Sequence, residues 1–368
     1  MRPPLALAAG PLLRAVVLFI TTGFLTCGIS AQLTGAQDSD RFPIIRSDKL
    51  GFIDGSGREV IAPQFGNAAD AARFREGMAN VGGAGGWGYV DASGKFVIEP
   101  KFWWAYPFSE GFACVELPEE GAGYGFIDKT GRLLIQGLKA DSVFHDGLAA
   151  IPVDGKWGYV GTDMKLRIPA QFQFAAAFSE SLGGIELTHK WGYIDKTGTV
   201  VVRPKYDITM PFHNGLGRVK VFVGRKAMPS GIVGMEGQNT ENVYLWGFVD
   251  PEGREAISPQ FLDATDFSEG NAFAKPNDGT NLFGIIDKSG SFIHRGTFDE
   301  ATEYSESVAA VRLGEKWGYV DHAGSWAIPP KFARAEPFWH GLARVAFSAG
   351  RWGYIDKNGS VVWENKSQ

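Results

Sequence analysis

The chain has 368 residues, of which 44% are hydrophobic and 13% aromatic, with 49 glycines and a formal net charge of −5. The charges form no block of one sign and no basic stripe that could follow a phosphate backbone, so nucleic acid is excluded from the expected partners. Abundant glycine and aromatic residues favour many short strands joined by tight turns.

Residues 1–31 predict a secretory signal peptide. Arg2 and Arg14 precede the apolar residues 15–25, and small residues follow up to Ala31. A charged start, an apolar centre and a small-residue cleavage site are the three parts of such a signal. The uncharged stretch is shorter than the roughly 20 residues that span a bilayer, so we expect a secreted or periplasmic protein with no membrane span.

The two cysteines bear on location and stability. Cys27 is the alternative export signal, since a lipid attached there would anchor the protein, although Phe24 and Thr26 depart from the residues that such sites favour. If the signal is cleaved, Cys114 is the remaining cysteine and no internal disulfide is expected. Cys114 lies in the alternating run GFACVEL, which predicts a buried small hydrophobic residue.

One short phrase recurs nine times, in its fullest form WGYID at residues 191–195. Its alternation of large and small residues predicts a strand. Eight copies continue as Asp-x-x-Gly, which predicts a type I turn closed by glycine, whereas the fourth reads Gly-Thr-Asp-Met at 161–164. The motif glycines are Gly51, Gly88, Gly125, Gly158, Gly192, Gly247, Gly284, Gly318 and Gly353.

The residues between motifs complete a unit. A second strand follows the turn and is expected to end at proline, which cannot donate to a β-ladder. A post-proline aromatic residue, a loop and the sequence Phe-Ser-Glu-Gly come next, and the alternation after that glycine predicts a third strand that runs into the next motif. The prolines are Pro63, Pro100, Pro169, Pro204, Pro259 and Pro330.

Nine of these units fill residues 42–363, after the signal and a linker at 32–41 and before a tail at 364–368. A period of about 35 residues is short for a four-stranded propeller blade. We therefore predict an all-β tandem repeat of about nine three-stranded antiparallel meanders. They stack either as an open superhelix or as a closed propeller-like ring.

The motif, the Pro-x-Phe signal and Phe-Ser-Glu-Gly-x-Ala-x-Val together resemble the WG-repeat family over nearly the whole predicted mature chain. The resemblance implies an all-β repeat, frequent in exported or surface proteins, with no general enzymatic activity and no catalytic residues to carry over. Leu50, Tyr124 and Phe283 depart from the motif tryptophan, and the third and seventh units lack the Pro-x-aromatic signal.

The motif tryptophans are predicted to be structural anchors. One indole buries roughly 150–250 Å², which lets a unit too small to fold alone dock on its neighbour. The glycine that follows is expected to allow close approach of an adjacent strand. The six anchors are Trp87, Trp157, Trp191, Trp246, Trp317 and Trp352.

Repeated polar residues predict structure rather than catalysis. An acidic residue precedes the Phe-Ser-Glu-Gly glycine in most units, for example Glu76 and Glu110, and we expect each to bond backbone N–H groups in its own loop. The histidines lack metal-ligand spacing, and no phosphate loop, dinucleotide fingerprint or nucleophile elbow occurs. We predict no catalytic residue, metal or cofactor.

Two features break the period and are the candidates for function. An insertion at residues 224–242 lengthens one connection, and insertions in repeat proteins collect on the binding face; its alternative is a tolerated loop. Five tryptophans fall outside the motif, and exposed indoles bind sugars and protein partners; their alternative is packing between units. They are Trp103, Trp104, Trp326, Trp339 and Trp363.

The expected function is therefore an exported, non-catalytic binding or scaffolding module whose partner is a protein or a cell-envelope glycan. The alternatives are an enzyme with a site in a central channel or cleft, and a purely structural surface spacer. The oligomeric state is left open by the sequence.

We expect the mature chain to begin at Gln32, because residues 29–31 (ISA) form the cleavage site. Intact-mass and N-terminal analysis of protein from the native host would check this. A retained Met1 or a lipid on Cys27 would contradict it.

Overall fold

The computed structural model describes residues 40–66, 72–227 and 240–365, so the predicted signal peptide lies outside the described residues. The described residues form 32 short strands and no α-helix, and every pairing between strands is antiparallel. Consecutive strands pair with each other, so each repeat unit comes from one continuous segment of chain.

Units 1 to 4 are built from β1 Phe42–Arg46, β2 Lys49–Ile53 and β3 Glu59–Phe65; β4 Met78–Gly83, β5 Gly86–Asp91 and β6 Phe96–Phe102; β7 Trp104–Ala105, β8 Phe112–Glu116, β9 Tyr124–Asp128 and β10 Leu133–Leu138; β11 Leu148–Val153, β12 Lys156–Gly161 and β13 Leu166–Phe172. Units 5 and 6 are β14 Phe174–Ser179, β15 Leu182–Leu187, β16 Lys190–Asp195 and β17 Val200–Tyr206; β18 Ile208–His213, β19 Leu216–Ala227, β20 Thr240–Val249 and β21 Glu255–Ala264. Units 7 to 9 are the end of β21 with β22 Ala272–Pro276, β23 Phe283–Ile286 and β24 Phe292–Phe298; β25 Glu300–Ala301, β26 Ala309–Leu313, β27 Lys316–Val320 and β28 Trp326–Phe332; β29 Arg334–Ala335, β30 Ala343–Ser348, β31 Arg351–Ile355 and β32 Val361–Glu364.

The three predicted strands are present in every unit, and units 3 and 5 to 9 carry a further strand before them. We call the four positions a, b, c and d in chain order; the motif lies in strand c. In unit 5, strand a (β14) contacts β11 of unit 4 and β18 of unit 6, so the a strands lie at the inner edge of the ring. Strand a has two residues in units 3, 8 and 9 and six residues in units 5 and 6.

The motif glycine sits where two backbones touch. A Cβ at any of the nine motif glycines would lie between 2.2 and 2.6 Å from a carbonyl oxygen of strand d. The pairing of strands c and d shifts at this point: Trp191 pairs with Tyr206 but Tyr193 pairs with Val202, so strand d carries two extra residues. Close approach of an adjacent strand is the reason for the glycine, as predicted.

The expectation that proline ends the second strand is wrong. Pro204 lies inside β17, which runs from Val200 to Tyr206, and the prolines of the other units with this signal also lie within their d strands. The physical reason is the bulge opposite the motif glycine, since a bulged residue needs no ladder partner for its nitrogen.

The Asp-x-x-Gly turn forms as predicted. In the first unit the Oδ1 of Asp54 accepts from the Ser56 hydroxyl at 2.6 Å and from the backbone N–H groups of Ser56 and Arg58 at 3.0 and 3.1 Å. The Ser56 hydroxyl bond is the largest of the effects that hold the pKa of Asp54 down to about 2. The turn residue Gly57 has a φ of 83°, which favours glycine.

The most deeply buried motif residue is the aromatic two positions after the tryptophan. Tyr89, Tyr159 and Tyr193 have no exposed surface, whereas all six motif tryptophans are half-buried. The tyrosine hydroxyls donate across to the next unit, for example from Tyr89 to the carbonyl of Tyr106 at 2.7 Å. The tryptophans therefore pack at the margin of each interface, and the tyrosine fills its centre.

The prediction that the acidic residues of the Phe-Ser-Glu-Gly loops bond backbone N–H groups of their own loop is wrong. Each bonds the loop of the next unit instead. The Glu76 carboxylate accepts from Gly111 N–H at 3.0 Å, and Glu110 accepts from Gly147 N–H at 2.8 Å. Glu76 itself has a φ of 51°, in the left-handed region of the backbone. The same contact recurs for Asp146, Glu180, Asn214, Glu269 and Glu306.

The repeat closes into a ring. The Tyr354 hydroxyl of unit 9 donates to the Pro43 carbonyl of unit 1 at 2.8 Å. Pro43 lies in strand b, opposite Phe52, the third motif residue of its unit. Inside the array, motif tyrosines donate to the same strand b position of the next unit, Tyr159 to Gly184 and Tyr193 to Arg218.

Side-chain packing completes the junction of units 9 and 1. Phe42, Ile44, Ile53, Leu342 and Tyr354 form its buried cluster, with Trp339, Trp352, Val362 and Trp363 around it. We call this junction the closure seam. It joins two separate sheets, since β1–β3 and β29–β32 share no strand. Of the two predicted arrangements, an open superhelix and a closed ring, the structure shows the closed ring.

We expect Gly192→Ala to destabilise the protein by about 3 kcal/mol, because the added Cβ would lie 2.2 Å from the Val202 carbonyl oxygen and force strands c and d apart. Urea denaturation measures the loss.

Gly55→Ala is the matched control, because a Cβ at this exposed turn glycine meets nothing within 4 Å. Equal effects of the two substitutions would contradict the role of the close approach.

Candidate binding surfaces

The ring has two different ends. The a–b loops with Phe-Ser-Glu-Gly and the c–d turns with Asp-x-x-Gly lie at one end, where Lys129 of a turn contacts Glu76 of a loop at 3.0 Å. The b–c hairpins and the crossovers from strand d to the next unit lie at the other, which we call the hairpin end. Trp103 falls there, in a crossover, and so do the described ends of the 224–242 insertion, residues 224–227 and 240–242, in a b–c hairpin.

Trp103 occupies a position at which units 5, 6 and 8 carry a side chain that bonds the b–c hairpin. The Trp103 N–H donates to the carbonyl of Glu116, 13 residues later in the chain. The Gln173 N–H donates in the same way to Glu186, so Trp103 of unit 3 and Gln173 of unit 5 are equivalent. At this position Gln173 accepts from the His189 N–H at 3.0 Å, and in the same way Asp207 and Asp299 accept from Phe222 and Gly314 at 2.6 and 2.7 Å. Trp103 offers no such acceptor, and it is 51% exposed.

Trp104, the next residue in the chain, contacts two further aromatic rings. Its ring centroid lies 4.3 Å from that of Trp87 and 6.4 Å from that of Tyr106. Trp104 is still 36% exposed, although its ring contacts the anchor of unit 2. We call Trp87, Trp103, Trp104 and Tyr106 the aromatic patch.

The other three off-motif tryptophans lie elsewhere. Trp326 begins the d strand of unit 8, is 37% exposed and contacts Phe298 edge-on at 5.9 Å. Trp339 and Trp363 are half-buried in the closure seam, where Trp339 contacts Phe42 at 5.4 Å and Trp363 contacts Trp352 at 5.1 Å. These two indoles pack between units, the alternative that the sequence left open, and the five tryptophans form no single site.

The insertion begins and ends as regular structure. The strands β19 and β20 pair out to Ala227 and Thr240, so the b–c hairpin of unit 6 is longer than the others. Residues 228–239 lie outside the described residues. The apolar side chains of Phe222 and Val223 on this hairpin are 42% and 50% exposed.

A polar cluster connects the inner edges of units 6, 7 and 8. Arg218 Nε donates to Asp266 Oδ1 at 2.8 Å, and its Nη1 donates to the Ala264 carbonyl. His213 Nε2 lies 3.9 Å from Asp266 Oδ2. Burial, reinforced by the Asp266 carboxylate, raises the pKa of Glu303 to about 8, against the opposing effect of Arg218. Arg218 thus links unit 6 to unit 7, and the raised pKa of Glu303 favours its protonated form.

Sequence reasoning missed the charged members of this inner edge, although a signal exists. Asp266 and Glu303, like Arg73 of unit 2, directly precede the aromatic residue of the a–b loop, where Pro107 and Pro211 stand in other units. A charged side chain in place of proline marks a unit whose inner edge differs from the rest.

Other candidate chemistry is limited in the part of the chain that the structure describes. Cys114 is 2% exposed, and burial raises the pKa of its thiol to about 12, so it is a buried hydrophobic residue as predicted. Within 40–66, 72–227 and 240–365, no group of three His, Cys, Asp or Glu side chains is placed to hold a metal ion, and no helix is long and apolar enough to cross a membrane.

The sequence pattern of the family described as WG containing repeat matches the chain eight times, at residues 51–81, 87–117, 124–157, 157–188, 191–221, 246–279, 283–317 and 317–347. Together these matches span more than half of the chain. Among curated proteins, no sequence matches.

Two solved structures resemble this one at low sequence identity. A structure described as the crystal structure of the eukaryotic initiation factor aligns with 11% identity and a TM-score of 0.57, over 90% of this chain and 96% of its own. Hsv2p of Kluyveromyces lactis aligns with 9% identity and a TM-score of 0.35, over 71% of this chain and 95% of its own. The first likeness concerns the fold alone, and the second carries no argument.

We expect Glu303→Gln to stabilise the protein increasingly as pH rises from about 4.5 to about 8. The folded state keeps the Glu303 proton over this interval while the unfolded chain loses it, so the wild type loses stability with rising pH and the glutamine variant does not. Urea denaturation at several pH values measures the difference.

The exposed Glu315→Gln is the control and should show no such trend. A difference between Glu303→Gln and wild type that stays constant across this pH range would contradict the assignment.

Proposed function

We propose a binding function, starting from the fact that the chain belongs to the WG containing repeat family and folds as a closed ring of repeats. In this proposal the ring is an exported, non-catalytic scaffold. A protein or a cell-envelope glycan docks on the aromatic patch at its hairpin end.

The exposure of Trp103 carries the proposal. At the equivalent position, units 5, 6 and 8 carry Gln173, Asp207 and Asp299, which stabilise the neighbouring hairpin through a backbone N–H. Unit 3 replaces that contact with an indole that is half in water. A large apolar surface kept exposed at the loss of a structural bond favours selection for contact with a partner.

The composition of the patch suits a flat apolar partner surface. The rings of Trp87 and Tyr106 both contact that of Trp104, and Trp103 directly precedes Trp104 in the chain. Indoles are the commonest hot-spot residues of protein interfaces, and their faces also stack on sugar rings. Both partner classes therefore remain in the proposal, and binding assays separate them.

Export supports an extracellular partner. Residues 1–31 have the order of a secretory signal, and one cysteine is left in the predicted mature chain, so the fold tolerates an oxidising compartment without disulfide exchange. The glycan and protein candidates are accordingly those of the cell envelope.

A catalytic function has one observation in its favour, the raised pKa of the buried Glu303 near Asp266, since carboxyl groups in different environments can act as acid and base. We propose a structural role for this pair because Asp266 is already bonded to Arg218, which ties units 6 and 7.

We expect Trp103→Ala to weaken partner binding about tenfold or more while leaving the melting temperature almost unchanged, because half of the indole is in water and it caps no hairpin. Binding is measured to envelope glycan fragments and, separately, to envelope proteins captured on the immobilised chain.

Trp326→Ala is the matched control, an exposed off-motif indole outside the patch, and should leave binding intact. Trp104→Ala should lower both binding and stability, since Trp104 also packs on Trp87. A large loss of stability in Trp103→Ala with unchanged binding would place that ring in the core and refute the proposal.

A further inference from the structure

The closure seam contains a cavity with an excess of positive charge. The cavity has a volume of about 20 Å³, enough for one water-sized group. Glu336, Trp339, Arg344 and Tyr354 of unit 9 line it together with Pro43 of unit 1 and Arg73 of unit 2. It therefore lies where three units meet, at the junction that closes the ring.

One of the two arginines in the cavity is already neutralised. Arg344 Nε and Nη2 both lie 2.8 Å from Glu336 Oε1. Glu336 is the single acid among the lining residues, so the second arginine, Arg73, leaves the cavity with a net charge of +1.

Arg73 makes neither a hydrogen bond nor an ion pair with the residues that the structure describes. Its guanidinium carbon lies 5.5 Å above the ring of Trp339, and its side chain is partly buried. Burial lowers the pKa of Arg73, with the charge of Glu336 opposing this effect. Because a guanidinium has five donors and does not lose its proton in proteins, its positive charge remains and calls for an acceptor.

We propose that the cavity of the closure seam binds a small monovalent anion, of the size of chloride or a single carboxylate group, on the guanidinium of Arg73. Trp339 and Tyr354 form the apolar wall, and the Arg344–Glu336 pair closes the side toward unit 9. The bound anion connects unit 2 to unit 9 across unit 1, so occupancy stabilises the closed ring.

The test compares thermal unfolding in sodium chloride, sodium acetate and sodium isethionate at equal ionic strength. Isethionate is larger than both chloride and acetate and controls for general salt effects. We expect the wild type to melt about 2 °C or more higher in chloride or acetate than in isethionate. Chloride and acetate are separate arms, and the larger shift identifies the preferred anion.

Two arginine variants make the test specific. Arg73→Met should abolish the difference between anions. Arg295→Met should keep it, although Arg295 also lies 5.5 Å above an aromatic ring, because that side chain is 78% exposed and faces Asp278. No anion effect in the wild type, or an undiminished effect in Arg73→Met, would overturn the proposal.

A carboxylate of the chain itself is the alternative occupant. Asp70, three positions before Arg73, lies outside the described residues. If Asp70 neutralises Arg73, the wild type should show no anion effect and Asp70→Asn should create one, and this result would also overturn the proposal. If Arg73→Met fails to fold, crystals of the wild type soaked in bromide decide: an anomalous peak beside Arg73 supports the anion site, and its absence there excludes it.

Discussion

The ring depends on the contact of two backbones at nine glycines. A side chain of any size at the motif position would collide with a carbonyl of strand d, so strand c can pass under the bulge of strand d only where glycine stands. The bulge has two consequences. It admits a proline into the middle of strand d, and it brings the aromatic residue two positions after the motif tryptophan to the centre of the interface, as Tyr193 shows.

The units are joined by bonds that point forward along the chain. Motif tyrosine hydroxyls, loop serines and loop carboxylates each bond a backbone group of the following unit, as Tyr89, Ser179 and Glu180 show. Backbone partners make the junctions tolerant, because the side chains of the next unit can vary without loss of the bond. This explains why side chains at the inner edge, such as Arg218 and Arg73, can differ from unit to unit while the ring stays regular.

Features fixed within a few residues could be predicted from the sequence. The number of motifs, the Asp-x-x-Gly turn, the burial of Cys114 and the close approach at glycine all depend on local pattern and backbone sterics. The exposure of Trp103 also followed from a local comparison, because its equivalents in other units are small, polar or aliphatic.

Features that depend on a second unit could not be predicted. The partner of Glu76 lies 35 residues away in the next unit, so the loop that contains Glu76 does not reveal it. The choice between an open superhelix and a ring depends on the rotation between units, which no short motif encodes. Trp339 and Trp363 looked unassigned in the sequence for the same reason, since the seam that buries them joins the two ends of the array.

A ring that closes by docking, without a strand shared between its ends, has a consequence for biosynthesis. The ribosome makes unit 1 first, and a translating chain folds its early segments before the late ones exist. The face of unit 1 formed by Phe42, Ile44 and Ile53 meets its cover only when unit 9 emerges. The nascent chain therefore carries an uncovered apolar face through nearly all of translation, which makes it a natural client for chaperones that shield growing polypeptides.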